Sequence, residues 1–171
     1  INRCDFSKHG ATQLTNSIGG GFVGSGCLEV CQSLLGAFQS LGVLNQSLLG
    51  IGQGANGGVK IEIYRETEAG VESVAAFERD GSYTSAYYKS YYIDRKNQLI
   101  GIGISGYMVD ERGVYSRYNN YLVLHFNRDA LELEIAAELP LEGSVELMRG
   151  VYIDGYFHMF GSNDVKAAKL K

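Results

Sequence analysis

From residue 48 onward, short runs of β-branched and aromatic residues alternate with turn-forming clusters, and this pattern constrains the fold more than any other feature. Tyr83-Thr84-Ser85-Ala86-Tyr87-Tyr88-Lys89-Ser90-Tyr91-Tyr92-Ile93 is too β-prone for a helix and reads as one strand. Asp94-Arg95-Lys96-Asn97 follows as a turn in which the Asp94 carboxylate can accept from nearby backbone N–H groups. Leu99-Ile100-Gly101-Ile102-Gly103-Ile104 returns as its partner. Asn119-Asn120 reads as a turn before Tyr121-Leu122-Val123-Leu124-His125-Phe126, Asn127-Arg128-Asp129 closes that strand, and residues 131–139 alternate up to Pro140. These are four strands in a row. A second set begins at residues 147–153, turns at Asp154-Gly155 as a type I′ hairpin, and continues through residues 156–160 and 165–170.

The pattern also repeats. Leu48-Leu49-Gly50-Ile51-Gly52 reappears as Leu99-Ile100-Gly101-Ile102-Gly103, and each copy is followed by a turn and a strand, residues 58–64 and 121–126. Four strands per unit at a period near 40 to 50 residues is the signature of β-propeller blades. The expected fold is therefore mainly all-β, a partial β-propeller of four-stranded antiparallel blades over residues 45–171.

Residues 1–44 are different material and form a divergent segment or partial blade. Glycine clusters at Gly19-Gly20-Gly21 and Gly24-Ser25-Gly26 read as linker or turn, since they lack the lysine and the strand-loop-helix setting of a phosphate loop. Cys27, Val30, Cys31, Leu34, Leu35, Phe38 and Leu41 recur at helical spacing, which predicts a helix over about residues 28–44. Glu29, Gln32, Gln39, Asn45 and Gln46 interrupt this apolar stretch, so no membrane span is expected.

Composition narrows the functional classes. The 171-residue chain is 45% hydrophobic and 20% charged, with 23 glycines, 12 tyrosines, one proline and no tryptophan, which suits tight turns and aromatic strands. A net charge of −4 supplies no basic field for a phosphate backbone, so nucleic acid is not an expected partner. Cys4, Cys27 and Cys31 form neither a disulfide framework nor a zinc motif, and no metal or cofactor is expected.

Several stretches together resemble a family of secreted bacterial and archaeal proteins with a C-terminal β-propeller domain. They are Leu48-Leu49-Gly50-Ile51-Gly52, Gly57-Gly58-Val59-Lys60-Ile61-Glu62-Ile63-Tyr64, Gly81-Ser82-Tyr83-Thr84-Ser85-Ala86, Tyr92-Ile93-Asp94-Arg95-Lys96-Asn97-Gln98-Leu99-Ile100-Gly101 and Arg149-Gly150-Val151-Tyr152-Ile153-Asp154-Gly155-Tyr156. The resemblance implies an exported or cell-surface, blade-built domain with no catalytic residues to carry over. About three blades cannot close a ring, so missing upstream blades or self-association are expected, with this chain as the C-terminal part of a longer protein.

Within the tyrosine stripe, alternation puts Tyr83, Tyr87 and Lys89 on one strand face. With Arg149 and Tyr152 they are the candidate ligand-binding residues, since aromatic faces and cations at a channel mouth or blade end bind sugars, peptides or anions. The competing reading is inter-blade packing. Asp110, Glu111, Glu132, Glu134 and Glu138 suit a solvated strand face better than a catalytic carboxylate pair, and His125 and His158 read as half-buried strand histidines. The expected function is a non-catalytic secreted binding or scaffold domain for a protein or carbohydrate. The alternative is an accessory or catalytic part of a secreted hydrolase.

Overall fold

The computed structural model describes residues 37–44, 47–68, 70–85 and 88–170. These form twelve strands: β1 Ala37–Leu44, β2 Ser47–Gln53, β3 Val59–Thr67, β4 Gly70–Arg79, β5 Ser82–Thr84, β6 Tyr92–Asp94, β7 Leu99–Val109, β8 Tyr115–Asn127, β9 Glu132–Pro140, β10 Arg149–Ile153, β11 Tyr156–Phe160 and β12 Val165–Lys169. Every pairing is antiparallel, in three meandering sheets ordered β1-β2-β3-β4, β5-β7-β8-β9 with β6 also on β7, and β10-β11-β12.

The expected helix over residues 28–44 is corrected in its C-terminal part. Ala37–Leu44 is a strand paired to β2, because the ladder to residues 47–53 satisfies backbone groups and outweighs the helical spacing of Phe38 and Leu41. The rest of that segment, with all three cysteines and both glycine clusters, lies outside the described residues.

The tyrosine stripe is not one strand either. β5 pairs with Ile104 to Gly106 and β6 with Leu99 to Gly101, so they share one edge of β7, and Ser85 and residues 88–91 lie off the ladder in an excursion between them. A 3-10 turn at Tyr88–Ser90 lies in this excursion. Its chain ends are held by side chains: the Thr84 hydroxyl donates to the Gly103 carbonyl, and the Tyr91 hydroxyl to the Ser85 carbonyl. Tyr91 packs against the core between the first two sheets, and the buried Tyr121 hydroxyl donates to the Ser90 carbonyl.

Asn119-Asn120 is a third correction, lying inside β8 instead of turning the chain. Their amides bond across the sheet, Asn119 accepting from the Ser105 hydroxyl and Asn120 donating to Glu138, so neither competes for local backbone. The turn falls instead at residues 110–114, where Asp110 accepts from the N–H groups of Arg112 and Val114. The turns expected at residues 94–97 and 154–155 are present. Asp94 accepts from the backbone of Lys96 and Asn97, and Asp154 and Gly155 both have positive φ, at 48° and 85°.

Two cores separate the sheets. Leu49, Ile51, Ile61, Ile63 and Ala75 of the first sheet meet Ile100, Ile102, Ile104, Leu122 and Leu124 of the second. The opposite face of the second sheet, with Leu99, Tyr121 and Val123, meets Met148, Phe157 and Met159. The middle sheet is thus covered on both sides, which explains why its central strands are near-continuous apolar runs. Each fully buried branched or aromatic side chain contributes roughly 1.5 to 3 kcal/mol.

Aligning the sheets on their first hairpins makes Ser47, Leu99 and Tyr156 equivalent, since each opens the second strand opposite Leu44, Asp94 and Ile153. In this alignment the β-bulges coincide. After Leu49↔Ile63 the ladder steps from Ile63↔Ala75 to Tyr64↔Ser73, and after the equivalent Gly101↔Val123 it steps from Val123↔Ala137 to Leu124↔Ile135. Val74 and Ala136 are the extra residues. Leu49 and Ile51, which face the second sheet, then correspond to Gly101 and Gly103, which face the third. The sheets therefore stack in one sense, the later face of each on the earlier face of the next. The written repeat of residues 48–52 at 99–103 lies one residue out of this register, so Leu49 and Ile100 enter the same core from opposite sides.

Candidate functional site

β7 and β8 continue beyond their neighbours to a hairpin tip, and their shared face there is exposed. Tyr107 pairs with Arg117, Val109 with Tyr115, and Tyr83 with Ser105, so alternation puts Tyr83, Tyr107, Val109, Tyr115 and Arg117 on one face. Tyr83 is 42% exposed, Tyr107 62% and Tyr115 74%. The Arg117 guanidinium lies 5.9 Å from the Tyr83 ring centroid and donates to its hydroxyl, which holds the ring in place.

The expected ligand-binding residues are distributed over different elements. Tyr83 belongs to this exposed face. Tyr87 lies outside the described residues. Lys89 is exposed on the 3-10 turn, which packs beside β10. Arg149 donates to the carbonyls of Glu146 and Met148 at 2.6 and 2.7 Å, and Tyr152 packs half-buried against the second core. Tyr107, Tyr115 and Arg117 escaped sequence reasoning because Asn119-Asn120 read as a turn and truncated β8. The signal available was the alternation Tyr115-Ser116-Arg117-Tyr118, continuous with Tyr121.

A second surface opens between the first and second sheets, as a cleft of about 570 Å³. Arg65 comes from the end of β3, Gln98 from the turn before β7, and His125, Phe126, Arg128 and Asp129 from the end of β8 and its turn. The Gln98 backbone is left-handed at φ 56°, its carbonyl accepts from Phe126 N–H at 2.9 Å, and its amide donates to the Arg95 carbonyl. Gln98 Oε1 is buried with no hydrogen-bond partner among the described residues. Asn127 Oδ1 accepts from the N–H groups of Asp129 and Ala130 at 3.2 and 3.1 Å, which fixes the turn carrying Arg128.

Of the carboxylates read as a solvated face, Glu132 and Glu134 are exposed, but Glu138 is half-buried against Arg79 and Asn120. Burial opposes its ionisation, yet the hydrogen bonds from Arg79 and Asn120 outweigh that and hold its pKa below the ordinary range. Among the described residues no cluster of His, Cys, Asp and Glu could hold a metal ion, and no helix is long and apolar enough to cross a membrane. No protein-family model matches the chain, and no curated protein matches it significantly.

Proposed function

We propose that this chain is a run of consecutive blades from a secreted β-propeller, a non-catalytic domain that binds or scaffolds a protein or carbohydrate. The observation that carries this reading is the coincident bulge in two sheets that stack in the same sense, since one repeated packing operation generates a propeller. The outer face of the third sheet supports it further. Ile153, Tyr156, Phe160 and Val165 are exposed there on cross-strand neighbouring positions, where a following sheet would pack. Recognition is assigned to the Tyr83 face, because rigid phenols offer large contact area at little entropic cost.

An array of extracellular proteins and glycans tests the recognition part. The chain is expected to bind a restricted set, and Tyr83→Ala and Arg117→Ala to weaken that binding about tenfold with an unchanged melting temperature. A folded chain that binds nothing, or variants that bind normally, would remove this assignment. For the architecture, Ile153→Lys should destabilise a longer polypeptide that carries a following blade, and should leave this chain alone unaffected. Equal stability in both would remove the propeller reading.

A further inference from the structure

The hairpin that carries the Tyr83 face also presents an open strand edge. β9 ends at Pro140 opposite Asn120, so among the described residues β8 has no strand beside Tyr115 to Tyr118 on the side away from β7. Two hydrogen bonds fix which backbone groups that edge presents. Leu141 N–H donates to the Asn119 carbonyl at 3.0 Å, so Asn119 faces away from β7, while Asp110 N–H donates to the Val114 carbonyl at 3.0 Å, so Val114 faces towards it. Antiparallel strands alternate these directions residue by residue, which points the N–H and C=O groups of Tyr115 and Arg117 outward and those of Ser116 inward. Residues 115–117 are all exposed.

An open edge is a template for another strand, and Tyr115-Ser116-Arg117-Tyr118 carries neither the lysine nor the proline that blunts one. The edge is also complementary to itself. Two-fold ladders that set outward residues opposite each other can centre on Arg117, Tyr115 or Ser116. Centring on Arg117 sets like charges face to face and calls on Asn119, whose carbonyl already accepts from Leu141. Centring on Tyr115 calls on Gly113, which is left-handed at φ 79° and belongs to the turn. Centring on Ser116 has neither fault, because Tyr115 then stands opposite the partner's Arg117 in both halves and the small Ser116 meets its own copy at the close central pair. Tyr115, 74% exposed, is the most exposed large apolar side chain among the described residues. Arg117 is already oriented by its hydrogen bond to the Tyr83 hydroxyl, so little freedom is lost when a second ring meets it.

We propose that the chain pairs with a second copy of itself along β8, in a two-fold antiparallel ladder centred on Ser116 with Tyr115 opposite the partner's Arg117. Tyr115 and the partner's Arg117 exchange both N–H···O bonds, and their side chains meet on one face of the joined sheet. The two-fold axis runs perpendicular to the sheet through the Ser116 pair, which leaves the two Tyr83 faces on the same side as one continuous surface. A short ladder is a small interface, so the dimer belongs to the micromolar range or weaker. The inference goes beyond the propeller and recognition readings and stands on the strand edge alone.

Sedimentation velocity of the whole chain, from micromolar to near-millimolar concentration, is expected to show a reversible monomer–dimer equilibrium. Tyr115→Pro removes an outward donor without breaking a bond inside the hairpin, and should weaken dimerisation at least tenfold. Val109→Pro, the matched change on the β7 edge, should leave it unchanged, and Arg117→Ala should weaken it several-fold, with circular dichroism confirming that all variants are folded. Crosslinking reads the register. Opposed residues of a non-hydrogen-bonded pair lie about 4.5 Å apart between Cα atoms, within disulfide reach, so Ser116→Cys should oxidise to a covalent dimer. Peptide mapping should place the bond at the substituted position and not at Cys4, Cys27 or Cys31. Met108→Cys, opposite Ser116 within the hairpin, should not crosslink. A chain that stays monomeric overturns the proposal, as does a dimer that survives Tyr115→Pro or that Val109→Pro abolishes. Equal crosslinking at both positions overturns the register. A monomer that still binds array ligands through Tyr83 overturns this inference alone and leaves the recognition reading standing, whereas a dimer that binds none of them does the reverse.

Discussion

The Arg79 guanidinium at the end of β4 forks onto the Glu138 carboxylate of β9, joining the first sheet to the second beside their shared core, with Nη2 to Oε2 at 3.0 Å. Asn120 donates to the same carboxylate, so Glu138 is bound from its own sheet and from the neighbouring one. Both ends of the pair are about three-quarters buried, which separates it from ordinary surface ion pairs.

Glu138→Gln should therefore cost about 1 to 2 kcal/mol at neutral pH, measured by urea denaturation. The pH dependence has a definite sign. Because the folded pKa is depressed, the contribution is complete above the unfolded value near about 4.3 and is lost as pH falls through the lower folded value. The variant should show a flatter stability profile on acidification. A parallel loss in both proteins would mean that the pair contributes nothing.

Gly101→Ala and Gly155→Ala separate crowding from backbone strain. A Cβ at Gly101 would meet Tyr121 at 2.8 Å and Phe157 at 3.0 Å, so overpacking should cost about 1 to 3 kcal/mol. At Gly155 a Cβ meets nothing within 4 Å, and the cost comes only from its φ of +85°, about 1 kcal/mol. In a Phe157→Leu background, Gly101→Ala should cost less than it does in the parent, and Gly155→Ala the same. Thermal melts of the parent, Phe157→Leu, and each glycine variant in both backgrounds decide this.

Asp94→Ala should destabilise the β6–β7 hairpin by about 1 to 2 kcal/mol. The carboxylate accepts from Lys96 N, Asn97 N, Asn97 Nδ2 and the Tyr92 hydroxyl. Burial disfavours its charge, but these hydrogen bonds outweigh that and lower its pKa. Asn at this position keeps one acceptor and should recover part of the loss. Hydrogen exchange at Asn97 reports the opening of this turn directly.

Tyr91 and Tyr121 are expected to resist alkaline ionisation. Burial pushes the Tyr91 phenol up to about 12 and raises Tyr121 further, although Thr84 beside Tyr91 acts the other way. Unfolded phenols ionise near about 10, so this contribution is fully present below that pH and is lost as pH rises above it. Ultraviolet difference spectroscopy should show late-titrating phenols that disappear in the Tyr91→Phe, Tyr121→Phe double variant. Their persistence in that variant would refute the assignment.

Most of the antiparallel architecture from residue 48 onward was legible in local chemistry. Asp94 followed by Asn97, and Asp154-Gly155, define turns through side-chain acceptors and positive φ, which are properties of a few neighbouring residues. Period-two alternation likewise assigned β9 without reference to partners. Other features depended on partners distant in sequence. Ala37–Leu44 carries part of a helical apolar spacing, yet pairing to residues 47–53 makes it a strand. The tyrosine stripe has uniform β propensity, and still Ser85 and residues 88–91 lie off the ladder, where Tyr91 enters one core and Tyr121 bonds the turn from the other. Asn119 and Asn120 look like turn formers until Ser105 and Glu138 stand opposite them. The cleft belongs to the same class. Arg65 and Arg128 are unremarkable alone, and only the stacking of one sheet on the next brings them to a common surface. Turn chemistry and alternation act over a few residues and are written into the chain; strand pairing, register and the meeting of side chains from separate sheets are long-range balances that exist only once the sheets have stacked.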